Sequence, residues 1–225
     1  YYNVFVDGKL HKVVKVCGTD TLIHLVSGID KRIHSLKIQK RSEGEFGKTT
    51  VHQFVLSGSG RLAEEPAVRT RHIEFIGNSL TCGYGTDGKH RDEPFLVETE
   101  NCNLTFASMV ARYYDADYTL IAHSGRGAAR NYGDSVRVSK VTMKDRMLNT
   151  FDEDLTHKWN FKEYRPDLVV INLGSNDFST EPHPYKSEFT KAYKQILAQL
   201  REHYGDIPIS VSYTHLRAHE TLANL

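Results

Sequence analysis

Residues 73–85 read IEFIGNSLTCGYG, and this stretch decides the fold class. A short, mainly apolar strand is followed by glycines, which permit a tight turn and hold Ser79 at the end of the strand. Residues 166–177, PDLVVINLGSND, repeat this arrangement of an apolar strand and a small, polar loop. A third loop of this type, SGRG at residues 124–127, follows the apolar run that ends at Ala122.

From residue 72 onward, predicted strands alternate with predicted helices. This alternation is typical of an α/β fold with a parallel sheet, right-handed crossovers and helices on both faces. We also expect residues 136–161 to be largely helical. Strands are predicted at residues 72–76, 118–122, 167–173 and 207–211, and helices at 187–204 and at 103–114, with apolar positions Phe106, Met109, Val110 and Tyr113.

Residues 1–62 follow a different pattern, in which apolar and polar residues alternate with period two. Short strands separated by glycine turns predict a small β-sandwich or barrel. About 60 residues make a marginal core, so we expect this domain either to be trimmed or to depend on its neighbour. Residues 63–71 then form a linker, and 72–211 the α/β domain. The predicted strands are residues 2–6, 11–16, 21–26, 32–40 and 50–56.

The composition excludes several classes of protein. The 225 residues carry a formal charge of +1, and 39% of them are hydrophobic. Scattered, balanced charge argues against a nucleic acid partner, and no apolar run approaches the ~18 residues of a membrane helix. The three cysteines, Cys17, Cys82 and Cys102, are too few for a disulfide framework.

The three loops could together supply the groups that acyl transfer needs. Such a reaction requires a nucleophilic oxygen, hydrogen-bond donors for the oxyanion, and a base. A serine at a strand end, an unobstructed glycine amide and an asparagine side chain would provide the first two. Each loop by itself has an ordinary alternative, a plain turn between a strand and a helix. A phosphate-binding loop fits less well, because no lysine follows the glycines.

These segments resemble blocks I, II and III of the SGNH (GDSL-like) hydrolases. In detail, IEFIGNSLTCGYG, SGRGAARNYGD and PDLVVINLGSND are similar to carbohydrate esterase family 2. The resemblance implies an SGNH-type, flavodoxin-like parallel sheet, preceded by a small β-sandwich of jelly-roll type. VDGKL and IHSLKIQKRSE are similar to strands of that N-terminal domain. Asn78 stands where many relatives have Asp, a change that we interpret as tolerated.

The resemblance also implies roles for individual residues. Ser79 would be the nucleophile, and the Ser79 amide, the Gly125 amide and the Asn176 side chain would form the oxyanion hole. Gly127 is a reserve for the second donor, because the sequence does not say which glycine amide points inward.

Four residues are candidates for the substrate side of the site: Asn78, Tyr84, Arg126 and Asp177. Asp177 is expected to order its loop by accepting backbone hydrogen bonds. Arg126, Arg130 and Asn131 face either the substrate or partners that brace the loop. The tyrosines could stack on sugar rings, although core or edge packing is the more ordinary role; they are Tyr84, Tyr113, Tyr114 and Tyr132.

The catalytic base is the part of the family pattern that this sequence does not match. The family carries its histidine in a D-x-x-H block near the C-terminus, after block III. The one segment of that spacing, residues 154–157, precedes the strand of block III and leads to the opposite end of the sheet, so we reject His157. His123 and His183 follow the second and third strands, but neither belongs to a matching motif.

Residues 212–225 read SYTHLRAHETLANL and depart from the family. They resemble translated sequencing-adapter read-through, so we expect a non-native tail in which His215 and His219 are not catalytic. The alternative is a genuine amphipathic helix. The parent protein is expected to be an esterase, whereas this chain, in which we expect the C-terminal block to be missing, is expected to be nearly inactive.

The predicted function is a serine esterase that removes O-acetyl groups from xylan- or mannan-type carbohydrate, without metal or organic cofactor. Two alternatives remain open: a non-catalytic carbohydrate-binding protein of the same fold, and an SGNH lipase or acylhydrolase. The resemblance implies a secreted or periplasmic protein, and we expect a monomer whose partner is an acetylated carbohydrate.

Overall fold

The computed structural model describes residues 1–30, 32–64, 69–151 and 153–212. The predicted tail lies outside these residues apart from Ser212, so the expectations for His215 and His219 stay untested. No helix in the described ranges is both long and apolar enough to cross a membrane.

The larger part of the chain is built on a parallel sheet of four strands. Its order is β5-β4-β8-β9, so the first strand of the domain is central. The register pairs Gly77 with Ala122, and Ile76 with Ile171, so the neighbouring strands end at the same edge of the sheet. The strands are β4 (His72–Gly77), β5 (Asp117–Ala122), β8 (Leu168–Ile171) and β9 (Ile209–Val211).

Helices cover both faces of this sheet, as predicted. Alternate residues of a strand face opposite sides, and Ile73 and Phe75 pack towards α2 on one face. Val169 and Ile171 pack towards α3 and α4 on the other face, in the larger core. The helices are α1 (Ser79–Cys82), α2 (Phe106–Tyr113), α3 (Met143–Arg146) and α4 (Lys186–Tyr204).

The helix predicted at residues 103–114 forms as α2, but most of the apolar positions that give it its periodicity do not lie on its buried face. Ala107, Ser108 and Ala111 are buried, whereas Met109 and Tyr113 are 51% and 83% exposed. Small side chains allow the helix axis to approach the sheet closely, and close packing gains many dispersion contacts. The larger apolar residues therefore lie mainly on the outer side of the helix.

The prediction of a largely helical segment at residues 136–161 was also wrong. Within it, α3 is a single turn of helix, where the Asp145 carboxylate accepts the Thr142 N–H at 2.9 Å. The chain then forms an antiparallel hairpin of β6 (Asn149–Phe151) and β7 (Asp154–Lys158). β-Branched and aromatic residues favour strands, and this preference prevails over the weak helical periodicity.

The N-terminal part contains an antiparallel sheet of order β2-β1-β3. Three of the five predicted strands form, whereas residues 21–26 and 50–56 form none. Leu22 and Val55 in those segments are 86% and 65% exposed, so their alternating pattern has no packing surface to stabilise a strand. The described residues of this part form one sheet layer: β1 (Tyr2–Val6), β2 (Lys9–Val14) and β3 (Leu36–Lys40).

This small sheet packs on the α/β domain, as its size predicts. Gln39 Nε2 donates to Tyr118 Oη at 2.8 Å, and Asn3 Nδ2 donates to Asn101 Oδ1 at 2.9 Å. Arg41, directly after β3, is 2% exposed, and its Nε donates to the Glu100 carbonyl at 2.7 Å. The end of β3 is therefore fixed against the loops that follow β4.

Candidate active site

Ser79 is the first residue of α1, directly beyond the end of β4. Asn78 precedes it in an extended conformation, and its Oδ1 caps the helix by accepting the Leu80 N–H at 3.1 Å. A Cβ on Gly77 would lie 2.0 Å from Thr81 Oγ1, so only glycine allows this strand to enter the helix so abruptly. The Ser79 side chain is partly exposed, and within the described residues its Oγ has no hydrogen-bond partner.

The loop after β5 forms a tight turn. The Arg126 N–H donates to the His123 carbonyl at 3.3 Å, and Gly125 has φ +75°. A positive φ at the third residue of a turn is typical of type II, in which the central peptide is rotated by about 180° relative to type I. The direction of the Gly125 N–H therefore depends on this turn type.

The Asp177 carboxylate fixes the next part of that loop, residues 128–130. Its carboxylate accepts the N–H groups of Ala128, Ala129 and Arg130 at 3.0, 2.7 and 2.9 Å. Burial raises the pKa of Asp177 to about 6, although the three amides oppose this increase. Asp177 therefore supports the loop after β5, whereas the sequence analysis expected it to order its own loop.

Gly127 occupies a position that admits no side chain. A Cβ there would lie 2.0 Å from the Arg130 carbonyl oxygen. The Gly127 amide donates to Asn131 Oδ1 at 3.4 Å inside the protein, which favours Gly125 over this reserve donor.

Hydrogen bonds join the three loops to one another beside the candidate residues. Asn78 Nδ2 donates to Ser175 Oγ at 2.9 Å, which links the loops after β4 and β8. Asn176 Nδ2 donates to the Arg126 carbonyl at 2.8 Å, which links the loops after β8 and β5. A carboxamide nitrogen has two hydrogens, so Asn176 keeps one for a ligand.

Residues 75–223 match the GDSL-like Lipase/Acylhydrolase family, and residues 1–66 match the Carbohydrate esterase 2 N-terminal family. The chain belongs to the GDSL-like lipase/acylhydrolase family. Its N-terminal sheet corresponds to the second match, which confirms the predicted family resemblance for both parts of this GDSL-like chain.

Its curated relatives include "Cellulase/esterase CelE" of Acetivibrio thermocellus, 36% identical over 209 residues. Another is an "Acetylxylan esterase / glucomannan deacetylase" of Cellvibrio japonicus, 33% identical over 182 residues. The matches cover 93% and 80% of this chain, but only 25% and 49% of those two proteins. A family two carbohydrate esterase from Clostridium thermocellum, solved with cellohexaose, is 35% identical with a TM-score of 0.89, and the match covers 96% of this chain and 65% of that one.

The four residues predicted for the substrate side of this GDSL-like chain fall into two groups. Asn78 and Asp177 are 1% and 0% exposed and bond within the loops, so the prediction that they bind substrate is corrected to a supporting role. Tyr84 is 49% exposed and stacks on Phe95 with ring centroids 3.8 Å apart. Arg126 is partly exposed, and its buried Nε has no hydrogen-bond partner in the described residues.

The other basic candidate of the loop braces the protein. Arg130 is fully buried, and its Nε donates to the Val136 carbonyl at 3.0 Å. Its Nη2 donates to Thr180 Oγ1 at 3.0 Å, so it spans the loops after β5 and β8. Asn131 is also buried, and its Nδ2 donates to the Val141 carbonyl at 3.0 Å.

The three histidines considered as bases all have other partners. His157 lies on β7, with Nδ1 2.5 Å from Asp154 Oδ2. His123 is buried, with Nε2 3.0 Å from Glu45. His183 Nδ1 is 3.4 Å from Glu181. None of them bonds to the Ser79 hydroxyl in the described structure.

Sequence reasoning missed a cluster of buried acids beside the site. One potential metal-ligand atom from each of Glu43, Cys82 and Glu100 lies within 4.8 Å of the other two. The same distance limit holds for a second group, which consists of Glu43, Glu45 and His123. Glu43 Oε2 already accepts protein hydrogen bonds, so we interpret the cluster as a hydrogen-bonded network. No local sequence motif indicates this cluster, because its members are distant from one another in the sequence.

Proposed function

We propose that this chain is the core of a carbohydrate O-acetyl esterase with Ser79 as nucleophile. The observation that carries the proposal is the set of hydrogen bonds that joins the loops bearing Ser79, Gly125 and Asn176 at one edge of the sheet. The match of residues 1–66 to the Carbohydrate esterase 2 N-terminal family supports a sugar ester as substrate. The relatives named acetylxylan esterase and glucomannan deacetylase support acetylated xylan or mannan.

In the proposed reaction, Ser79 Oγ attacks the acetyl carbonyl carbon while a base removes the hydroxyl proton. The developing oxyanion accepts hydrogen bonds from the Ser79 and Gly125 amides and from Asn176 Nδ2. Collapse of the tetrahedral intermediate releases the sugar hydroxyl and leaves acetyl-Ser79. Water then attacks this ester and releases acetate. Donors of this kind stabilise charge that is absent from the ground state, so they act mainly on kcat.

The base of the proposed reaction lies outside the described residues. The three histidines considered as bases, His123, His157 and His183, are each paired with an acid, and none of them bonds to Ser79 Oγ in the described structure. Without its base, a serine hydrolase retains about 10³ to 10⁴-fold acceleration over water from the oxyanion hole and binding. We therefore expect this chain by itself to be a very slow esterase.

The test compares this chain with the natural gene product that contains it. Acetate release from acetylated xylo- and manno-oligosaccharides is measured for both, with p-nitrophenyl acetate as a general ester. Ser79→Ala in the natural gene product should lower kcat/KM by about 10³-fold or more. Unchanged acetate release in Ser79→Ala would overturn the proposal. Preference for long-chain acyl esters over acetyl sugars would favour the lipase alternative.

A second candidate is a non-catalytic carbohydrate-binding protein. It is favoured by the exposed Tyr84 ring and by the similar structure that was solved with cellohexaose. Calorimetric titration with deacetylated oligosaccharides separates the two: tight binding without acetate release from the natural gene product indicates the binder.

Because the proposed substrate is an extracellular polymer, we also propose that the protein is secreted or periplasmic, which cell fractionation would test. We further propose that it is a monomer, which light scattering would test.

A further inference from the structure

One carboxylate oxygen of the N-terminal part reaches two of the loops of the proposed site. Glu43 Oε2 accepts the Ser124 N–H at 2.6 Å and the Cys82 thiol at 3.4 Å. Ser124 immediately precedes Gly125, and Cys82 is the last residue of the helical turn that begins with Ser79. A single atom therefore contacts both the turn that carries the nucleophile and the turn that carries the oxyanion amide.

Glu43 itself is rigidly held. It is 8% exposed, and its backbone N–H donates to Glu100 Oε2 at 3.2 Å. Lys40 Nζ donates to the Glu43 carbonyl at 2.6 Å. Arg41, two residues before Glu43, is buried and pairs with Asp87. These contacts fix the backbone on both sides of the carboxylate.

Burial favours the protonated forms of the two acidic groups that lie beside Glu43, Glu100 and Cys82. Burial and the nearby Glu43 carboxylate raise the pKa of Glu100 to about 8, so Glu100 is mainly neutral at pH 7. Burial raises the pKa of the Cys82 thiol, which therefore stays protonated and donates.

We propose that Glu43 is a positioning residue for the reaction, which holds the Ser124–Gly125 peptide in the orientation that aims the Gly125 N–H at the oxyanion. The inference rests on the proposed function, because it takes Gly125 as an oxyanion donor. Rotation of this one peptide is what distinguishes type I from type II turns. Glu43 Oε2 binds the N–H of the preceding peptide, His123–Ser124, so the N-terminal domain takes part in defining the oxyanion hole.

The first experiment needs no activity and uses this chain. In a ¹H–¹⁵N NMR spectrum, a short bond to a carboxylate should shift the Ser124 amide proton downfield and slow its exchange. Glu43→Ala should move this proton upfield and shift the Gly125 amide as well. Glu43→Gln keeps an acceptor and should retain part of the shift. Glu98→Gln, which removes the carboxylate of an exposed acid outside this turn, is the control and should leave the Ser124 proton in place.

The second experiment measures kinetics in the natural gene product. Glu43→Ala should lower kcat by about 10 to 100-fold with KM nearly unchanged, since a misplaced oxyanion donor acts on the transition state. Glu43→Gln should recover most of kcat. A Ser124 resonance that Glu43→Ala does not move, or a kcat loss that only follows a fall in Tm, would overturn the inference. If Ser79→Ala keeps full activity, the proposed function fails while the NMR result still reports on Glu43.

Discussion

Glu74→Gln should make the chain more stable at neutral and alkaline pH. Glu74 lies on the central strand β4, is 4% exposed, and accepts a hydrogen bond from Tyr204 Oη at 2.8 Å. Its Oε1 has no hydrogen-bond partner in the described residues. Burial raises the pKa of this carboxyl to about 7 from 4.5. The folded protein therefore holds the Glu74 proton more tightly than the unfolded chain does.

The sign and size of the effect follow from this difference in pKa. Glu74 costs no stability below about pH 4.5, and its ionisation lowers the free energy of unfolding as the pH rises through 7. A difference of about 2.5 pKa units corresponds to about 3 kcal/mol. Glutamine has the same shape and no charge to bury. The advantage of Glu74→Gln should therefore grow by about 3 kcal/mol between pH 4.5 and pH 8.5.

The assay is urea unfolding of the two proteins across this pH range, with the difference in free energy plotted against pH. Other groups titrate in both proteins and cancel in the difference. Tyr204→Phe is the matched second variant: the tyrosine hydroxyl lowers the pKa of Glu74, so its removal should steepen the pH dependence. A difference between Glu74→Gln and the parent that stays flat from pH 4.5 to 8.5 would refute the reasoning.

Three further substitutions test the candidate site. Gly127→Ala places a Cβ 2.0 Å from the Arg130 carbonyl oxygen and 2.4 Å from Asp177 Oδ2, so Tm should fall sharply; an unchanged Tm would contradict the tight packing. Asp177→Asn turns an NH2 group towards a backbone N–H donor and should cost about 2 kcal/mol in urea unfolding; an unchanged free energy of unfolding would contradict the supporting role of the carboxylate. Tyr84→Ala removes an exposed ring stacked on Phe95, and should weaken oligosaccharide binding by about 2 to 12-fold in calorimetry; equal affinity would exclude the ring from the substrate site.

Much of the fold could be predicted because buried strands have a local signature. The apolar run in residues 168–171 and the glycine beyond residue 76 indicate a strand and its sharp exit without knowledge of any partner. The inward face of α2 could not be predicted in this way. Ala107 and Ala111 are buried because the helix packs closely on the sheet, and such packing depends on the surface that a helix meets.

The sequence by itself determined the four strands of the parallel sheet, the helices α2 and α4, the three loops at strand ends, and the family to which their motifs belong. These features depend on short-range patterns of apolar residues and glycines. Only the tertiary structure decided that Asp177 is a buried support for a loop 47 residues earlier, and that Glu43 reaches the Ser124 amide 81 residues away. The physical reason is that a carboxylate contributes through the donors around it. Those donors come together only when the strands pair and the N-terminal sheet packs against their loops.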